Sequence, residues 1–83
     1  MRVCIVDDHK LLTDAVEIAL RKSFPDADIE IFNNPSSFLE AQERGAHLDI
    51  LITDLLMPGT TGIDLIEVIR GKFGERVKII VLS

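Results

Sequence analysis

Apolar and polar positions along this chain alternate between short continuous runs and longer stretches of helical spacing. Arg2 to Val6 is a β-favouring run that stops at Asp7-Asp8. From His9 to about Ser23 the apolar positions Leu12, Val16, Ala19 and Leu20, flanked by Leu11, Ala15 and Ile18, recur at helical spacing, and Pro25 with Asp26 ends that helix. Asp28 to Phe32 alternates as a strand. Asn33-Asn34-Pro35-Ser36 is a turn that starts a second helix, continued by Phe38, Leu39, Ala41 and Gln42 and closed by Gly45. Asp49 to Asp54 is an unbroken apolar run with β-branched Thr53, too short for a typical helix, and Pro58-Gly59 stops the chain soon after it. It reads as a buried strand that carries one carboxylate to its tip. Thr61 and Asp64 have the spacing of a capping box ahead of a third amphipathic helix through Ile63, Leu65, Ile66, Val68, Ile69 and Phe73, ended by Gly74. Val77 to Leu82 is a fourth run, broken only by Lys78, with Ser83 at its tip.

The predicted pattern is βαβαβαβ, which implies an α/β fold with a parallel sheet and right-handed crossovers. With the strand order 2-1-3-4 the first helix lies on one face and the second and third on the other, a three-layer, doubly wound arrangement. One helix does not cover four strands, yet Ile50, Leu51, Ile52, Ile79, Ile80, Val81 and Leu82 read as buried on both faces. The pattern stops before it is complete.

Composition narrows the reading. A chain of 83 residues holds one domain, 1–83, near the lower size limit for a core without disulfides or metal. An apolar fraction of 47% with 28% charged residues is that of a soluble globular protein. No apolar run approaches the ~20 residues that cross a bilayer, and acids interrupt the first run before a signal-peptide core forms, so a cytoplasmic location without membrane partners is expected. The net charge of -5 repels nucleic acid and excludes direct nucleic-acid binding by this chain. Cys4 is the single cysteine, which rules out an intrachain disulfide or a thiolate metal cage and leaves it as a small buried hydrophobe.

The candidate chemistry lies at the strand ends. Asp7 and Asp8 follow the first strand and Asp54 ends the third, so neighbouring strands put all three at one rim, where open α/β sheets bind ligands. Singly, an aspartate between a strand and a helix is more often an N-cap than a ligand. Together the three repel one another, a cost that a cation or a reaction offsets. Mg²⁺ suits such a cluster, because it prefers oxygen ligands and commonly combines one or two carboxylates with a phosphate oxygen. With incoming charge neutralised, one carboxylate can attack a phosphoryl group, and a hydroxyl at the tip of the fourth strand can hydrogen-bond it.

These residues, Ile5-Val6-Asp7-Asp8-His9, Leu51-Ile52-Thr53-Asp54-Leu55-Leu56-Met57-Pro58-Gly59 with Gly62, and Ile79-Ile80-Val81-Leu82-Ser83, resemble the receiver domain of two-component response regulators over the whole chain. The resemblance implies a flavodoxin-like fold in which Asp54 is the phospho-acceptor. It implies that Asp7 and Asp8 hold Mg²⁺ together with Asp54 and the backbone carbonyl of Leu56, and that Ser83 is the switch hydroxyl. It further implies phosphoryl transfer from a sensor histidine kinase and a switched output, transcription in the regulators that the Asp-Asp-His opening resembles. Such a protein is a signalling module, not an enzyme. Relative to the family pattern this is a partial receiver, without the fifth strand and its lysine or the fourth and fifth helices. Self-association through the fourth-strand edge and the uncovered sheet face is therefore expected.

Two rival functions are weighed against this one. A receiver-like dimerisation fragment that is not phosphorylated is disfavoured by the retention of all three acids. A metal-dependent phosphatase using an aspartyl phosphate wants Asp-x-Asp after the first strand, where this chain has Asp8-His9-Lys10. His9 reads as a solvated first-turn residue rather than a transition-metal ligand, because no second histidine or thiolate has a matching spacing. His47 reads as an exposed loop residue, and Phe24, Phe32, Phe38 and Phe73 as packing.

Overall fold

The computed structural model describes residues 1–55 and 62–82. In chain order the elements are β1 (Arg2–Val6), α1 (Lys10–Ser23), β2 (Asp28–Phe32), α2 (Pro35–Glu43), β3 (Ile50–Asp54), α3 (Gly62–Phe73) and β4 (Lys78–Leu82). The strands form one parallel sheet in the order β2-β1-β3-β4. This is the flavodoxin-like receiver topology that the resemblance implies. The expected Thr61 cap, the Leu56 carbonyl and the Ser83 hydroxyl lie outside the described residues.

Local chemistry explains the helix boundaries. Asn34 caps α2 by accepting the Ser37 backbone N–H at 2.9 Å, and Pro35 follows at the first helical position, where its missing N–H costs nothing. Gly45 and Gly74, at φ 80° and 62°, end α2 and α3 in the left-handed region that suits glycine. His9 is the N-cap of α1, one residue before the helix proper.

Alternation along the strands divides the core into two clusters. Cys4 and Val6 of β1 and Leu51 of β3 pack with Phe32, Phe38, Leu48, Leu65, Ile69 and Val77 under α2 and α3. Within that cluster Phe32 and Phe38 meet edge to face, with centroids 5.5 Å apart. Val3 and Ile5 of β1, with Ile29 and Ile52, face α1, against Val16 and Leu20. The helices thus take the faces that right-handed crossovers require. Cys4 is fully buried, and burial pushes its thiol up to about 11, so it behaves as a hydrophobe.

The two inner strands are buried as expected, but β4 is not. Ile80 and Val81 remain 41% and 42% exposed, because among the described residues β4 is hydrogen-bonded only to β3 and α1 reaches only part of its face. Leu11 and Ile18, at 87% and 70% exposure, extend this uncovered apolar surface onto the flank of α1. Among the described residues no helix is long and apolar enough to cross a membrane.

Candidate functional site

Register brings the acids together. Ile5 pairs with Ile52 across β1 and β3, and both side chains face α1. Continuing the alternation by two residues on each strand gives Asp7 and Asp54, which emerge beside each other at the carboxyl rim. The Asp7 backbone N–H donates to the Phe32 carbonyl at 3.1 Å, extending the ladder just beyond β1 and holding Asp7 in line.

Asp7 is the buried member of the group. One of its carboxylate oxygens, Oδ1, accepts the His9 backbone N–H at 2.9 Å and lies 2.8 Å from His9 Nδ1. The other, Oδ2, is buried with no hydrogen-bond partner. Asp8 is half-exposed and approaches His9 Nδ1 to 3.2 Å through Oδ1. Asp54, whose side chain is largely buried, brings Oδ2 to 3.6 Å from the same nitrogen. One ligand atom from each of Asp7, Asp8, His9 and Asp54 falls within 4.8 Å of every other.

His9 is solvated, as read from the sequence, yet it also faces the acids. Its ring is mostly exposed, but Nδ1 points into the acids. The hydrogen bond to Asp7 raises its pKa above the ordinary 6.5, and the Asp8 and Asp7 charges raise it further. Sequence spacing offered no second histidine to flag a mixed site; the signal lay in the position of His9 as N-cap, which turns its ring over the strand ends.

The start of α3 meets the end of β3 in a contact the sequence did not explain. Gly62 donates its N–H to the Leu55 carbonyl at 3.0 Å, and a Cβ on Gly62 would collide with the backbone of Asp54 and Leu55. Glycine is required there because α3 starts against the strand end that bears the acid. Thr53, fully buried, donates its hydroxyl to the Asp54 carbonyl at 2.9 Å.

Asp54 and His9 also open into an apolar groove of about 830 Å³, walled by Leu11, Leu12 and Ala15 of α1 and by Val81 and Leu82 of β4. Lys10 pairs with Asp14, 3.0 Å distant. His47, at the opposite end of the sheet, is exposed but not idle: its Nε2 lies 2.9 Å from Asp49 Oδ1. Phe24, expected to pack, is 49% exposed at the end of α1.

Three carboxylates beside an imidazole, with one carboxylate oxygen buried and unpartnered, fit a divalent cation, which would supply the missing partner of Asp7 Oδ2. Comparison with known proteins agrees with this chemistry. Residues 3–83 match the family model described as the response regulator receiver domain. The sensory transduction protein RegX3 of Mycolicibacterium smegmatis is 34% identical over 70 residues, covering 84% of this chain and 29% of that protein. The chain therefore spans under a third of the length of that relative. Among solved structures, a response regulator receiver protein from Pseudomonas putida superposes with a TM-score of 0.81 at 27% identity, over 99% of this chain and 66% of that one. RcsB from Salmonella enterica serovar Typhimurium, bound to promoter rprA in the presence of phosphomimetic BeF3-, superposes with a TM-score of 0.80 at 29% identity, over 98% of this chain and 46% of that one.

Proposed function

Because the chain belongs to the response regulator receiver-domain family, we propose that it accepts a phosphoryl group on Asp54 from the phosphohistidine of a sensor kinase and thereby switches an output. Receiver domains are generally signalling modules rather than enzymes, and they partner with histidine kinases. The observation that carries the proposal is the fully buried Asp7 carboxylate with one oxygen unpartnered beside Asp54. A neutral protein surface has no use for that arrangement, since each unpaired buried oxygen costs about 1–3 kcal/mol.

Asp7, Asp8 and Asp54 would hold Mg²⁺, which when bound neutralises phosphoryl charge and orients the incoming group. The Leu56 carbonyl is proposed as a further ligand and Ser83 as the hydroxyl that bonds the phosphoryl oxygens. An Asp54 oxygen attacks phosphorus and forms the new O–P bond. The P–N bond breaks, its electron pair stays on the donor imidazole, and that nitrogen takes up a proton. Asp7, buried and held by the His9 backbone, stays fixed while Asp54 reacts.

The domain is proposed to span residues 1–83 of the receiver, with transcription as the output and a cytoplasmic setting. The open edge of β4 and the groove between α1 and β4 support self-association of this chain. The net charge of -5 supports a protein that does not itself bind nucleic acid.

The test is intact-mass measurement after incubation with a small-molecule phosphodonor and Mg²⁺. One acid-stable, base-labile phosphoryl group is expected, and Asp54→Asn abolishes it. Labelling that survives in Asp54→Asn overturns the assignment.

A further inference from the structure

The sequence assigns the rim an all-oxygen donor set, but the structure adds a nitrogen to it. His9 Nδ1 stands 2.8 Å from Asp7 Oδ1, 3.2 Å from Asp8 Oδ1 and 3.6 Å from Asp54 Oδ2. Cis ligands on an octahedral ion with bonds of about 2.1 Å are about 3.0 Å apart. In the metal-free protein this nitrogen shares a proton with Asp7 Oδ1; once that proton is lost, Nδ1 lies within about a cis-ligand spacing of the Asp7 and Asp8 oxygens, with Asp54 slightly farther, and can face the same ion. A second observation points to a ligand at this place: the Asp7 carboxylate is fully buried, and its Oδ2 has no partner.

We propose that His9 is a direct metal ligand through Nδ1, making the site a mixed nitrogen–oxygen centre that prefers Ni²⁺ or Zn²⁺ to Mg²⁺. This rests on the phospho-acceptor reading in that the same carboxylates serve both. Imidazole suits Ni²⁺ and Zn²⁺, whereas Mg²⁺ favours carboxylate, carbonyl and water oxygens and gains little from a nitrogen. The ring is placed by backbone, not by chance. His9 caps α1, its N–H is tied to Asp7 Oδ1, and its carbonyl accepts the Thr13 N–H at 3.0 Å, so the residue is anchored on both sides. Its outer edge faces solvent, which leaves room for the water molecules that complete an octahedral shell.

The consequence is selectivity at a phosphorylation site. An ion held by nitrogen as well as oxygen occupies the Asp54 rim more tightly than Mg²⁺, so borderline metals compete with the ion that supports phosphoryl transfer.

Calorimetric titration of the protein with MgCl₂, NiCl₂ and ZnCl₂ at one fixed pH tests this, using wild type, His9→Gln and His47→Gln. His47 is the control imidazole, paired with a carboxylate at the far rim. Tenfold or greater loss of Ni²⁺ and Zn²⁺ affinity is expected in His9→Gln. Mg²⁺ affinity should stay within about threefold, and His47→Gln should change neither. A ¹⁵N spectrum should also show the His9 Nδ1 resonance moving on addition of Zn²⁺. Unchanged Ni²⁺ affinity in His9→Gln, or an equal loss for all three ions, overturns the proposal. Mg²⁺-dependent labelling of Asp54 is measured on the same samples. Labelling with no His9 effect sinks the mixed centre alone, and a His9 effect without labelling sinks phosphoryl transfer alone.

Discussion

The two rims of the sheet each bring carboxylates and a histidine together, and they treat them in opposite ways. At the amino rim Arg2 reaches Gln42 Oε1 at 2.8 Å, the His47 carbonyl at 2.9 Å and Glu30 at 2.8 Å, while its backbone N–H donates to Asp49 Oδ2 at 2.8 Å. His47 completes Asp49 from the other side. Each of these donors has an acceptor, and Arg2 ties β1, β2, α2 and the loop before β3 into one network. At the carboxyl rim three aspartates crowd a single imidazole, no Lys or Arg joins them among the described residues, and one buried oxygen is orphaned. The same residue types therefore build a joint at one end and a reactive pocket at the other. What differs is whether a fixed cation is supplied by the chain or has to come from outside.

The comparison can be broken at several points. The largest effect is expected for Gly62→Ala, which forces a Cβ into the backbone of Asp54 and Leu55 and should cost about 3 kcal/mol in chemical denaturation together with loss of Asp54 labelling. If stability and labelling both survive, the close approach of α3 to the strand end is not what holds the acid in place.

Next is Arg2→Ala at the amino rim. It removes the donor to buried Gln42 Oε1 and should destabilise the fold by about 2 kcal/mol, with Mg²⁺ affinity unchanged. An accompanying loss of Mg²⁺ affinity would show that the two rims are coupled.

Asp7→Asn should act in the opposite direction. It removes a like charge and offers an amide N–H to the neighbouring carboxylates, so the metal-free protein should gain about 1 kcal/mol while the rise in Tm produced by added Mg²⁺ disappears. Thermal melts with chelator and with Mg²⁺ check both halves. A site kept for binding, rather than for stability, is expected to show this trade.

The smallest effect is in pH dependence, and the rims should differ in sign. Asp49 is held below its ordinary value of 3.8, first by the Arg2 backbone N–H and then by His47. A depressed carboxyl contributes stability above its unfolded value and loses it as pH falls through the lower folded value, so this contribution fades below 3.8. His9 is raised above 6.5, first by the hydrogen bond to Asp7, so its contribution is complete below 6.5 and is lost as pH rises through the higher folded value. Melts across pH should lose the acid-side slope in Asp49→Asn and the slope above 6.5 in His9→Gln. Both side chains are solvent-facing, and both slopes should shrink in high salt.

Much of this was legible in the chain. Periodicity alone placed seven elements, because a continuous run such as Ile50-Leu51-Ile52 and a spaced one such as Leu12, Val16, Leu20 obey different repeats. Given the order 2-1-3-4, the helix faces followed from the handedness of crossovers. The gathering of Asp7, Asp8 and Asp54 at one rim followed as well, since a residue's place along a parallel strand sets which end it reaches. The spacing of these acids, the Pro-Gly turn and the later glycine were also enough to point to the receiver family.

Tertiary structure decided what spacing cannot express. That Gly62 must lack a Cβ depends on α3 starting against the backbone of Asp54, a contact between segments. That His9 turns inward depends on the rim it caps, and that Asp49 and His47 form a joint depends on Arg2 arriving from 47 residues away in sequence. The uneven burial of β4 likewise reflects which neighbours flank it. Local sequence governs backbone state and side-chain direction because those are set within a few residues. Charge pairing and close approach are sums over whatever the fold brings near, so they exist only once it has formed.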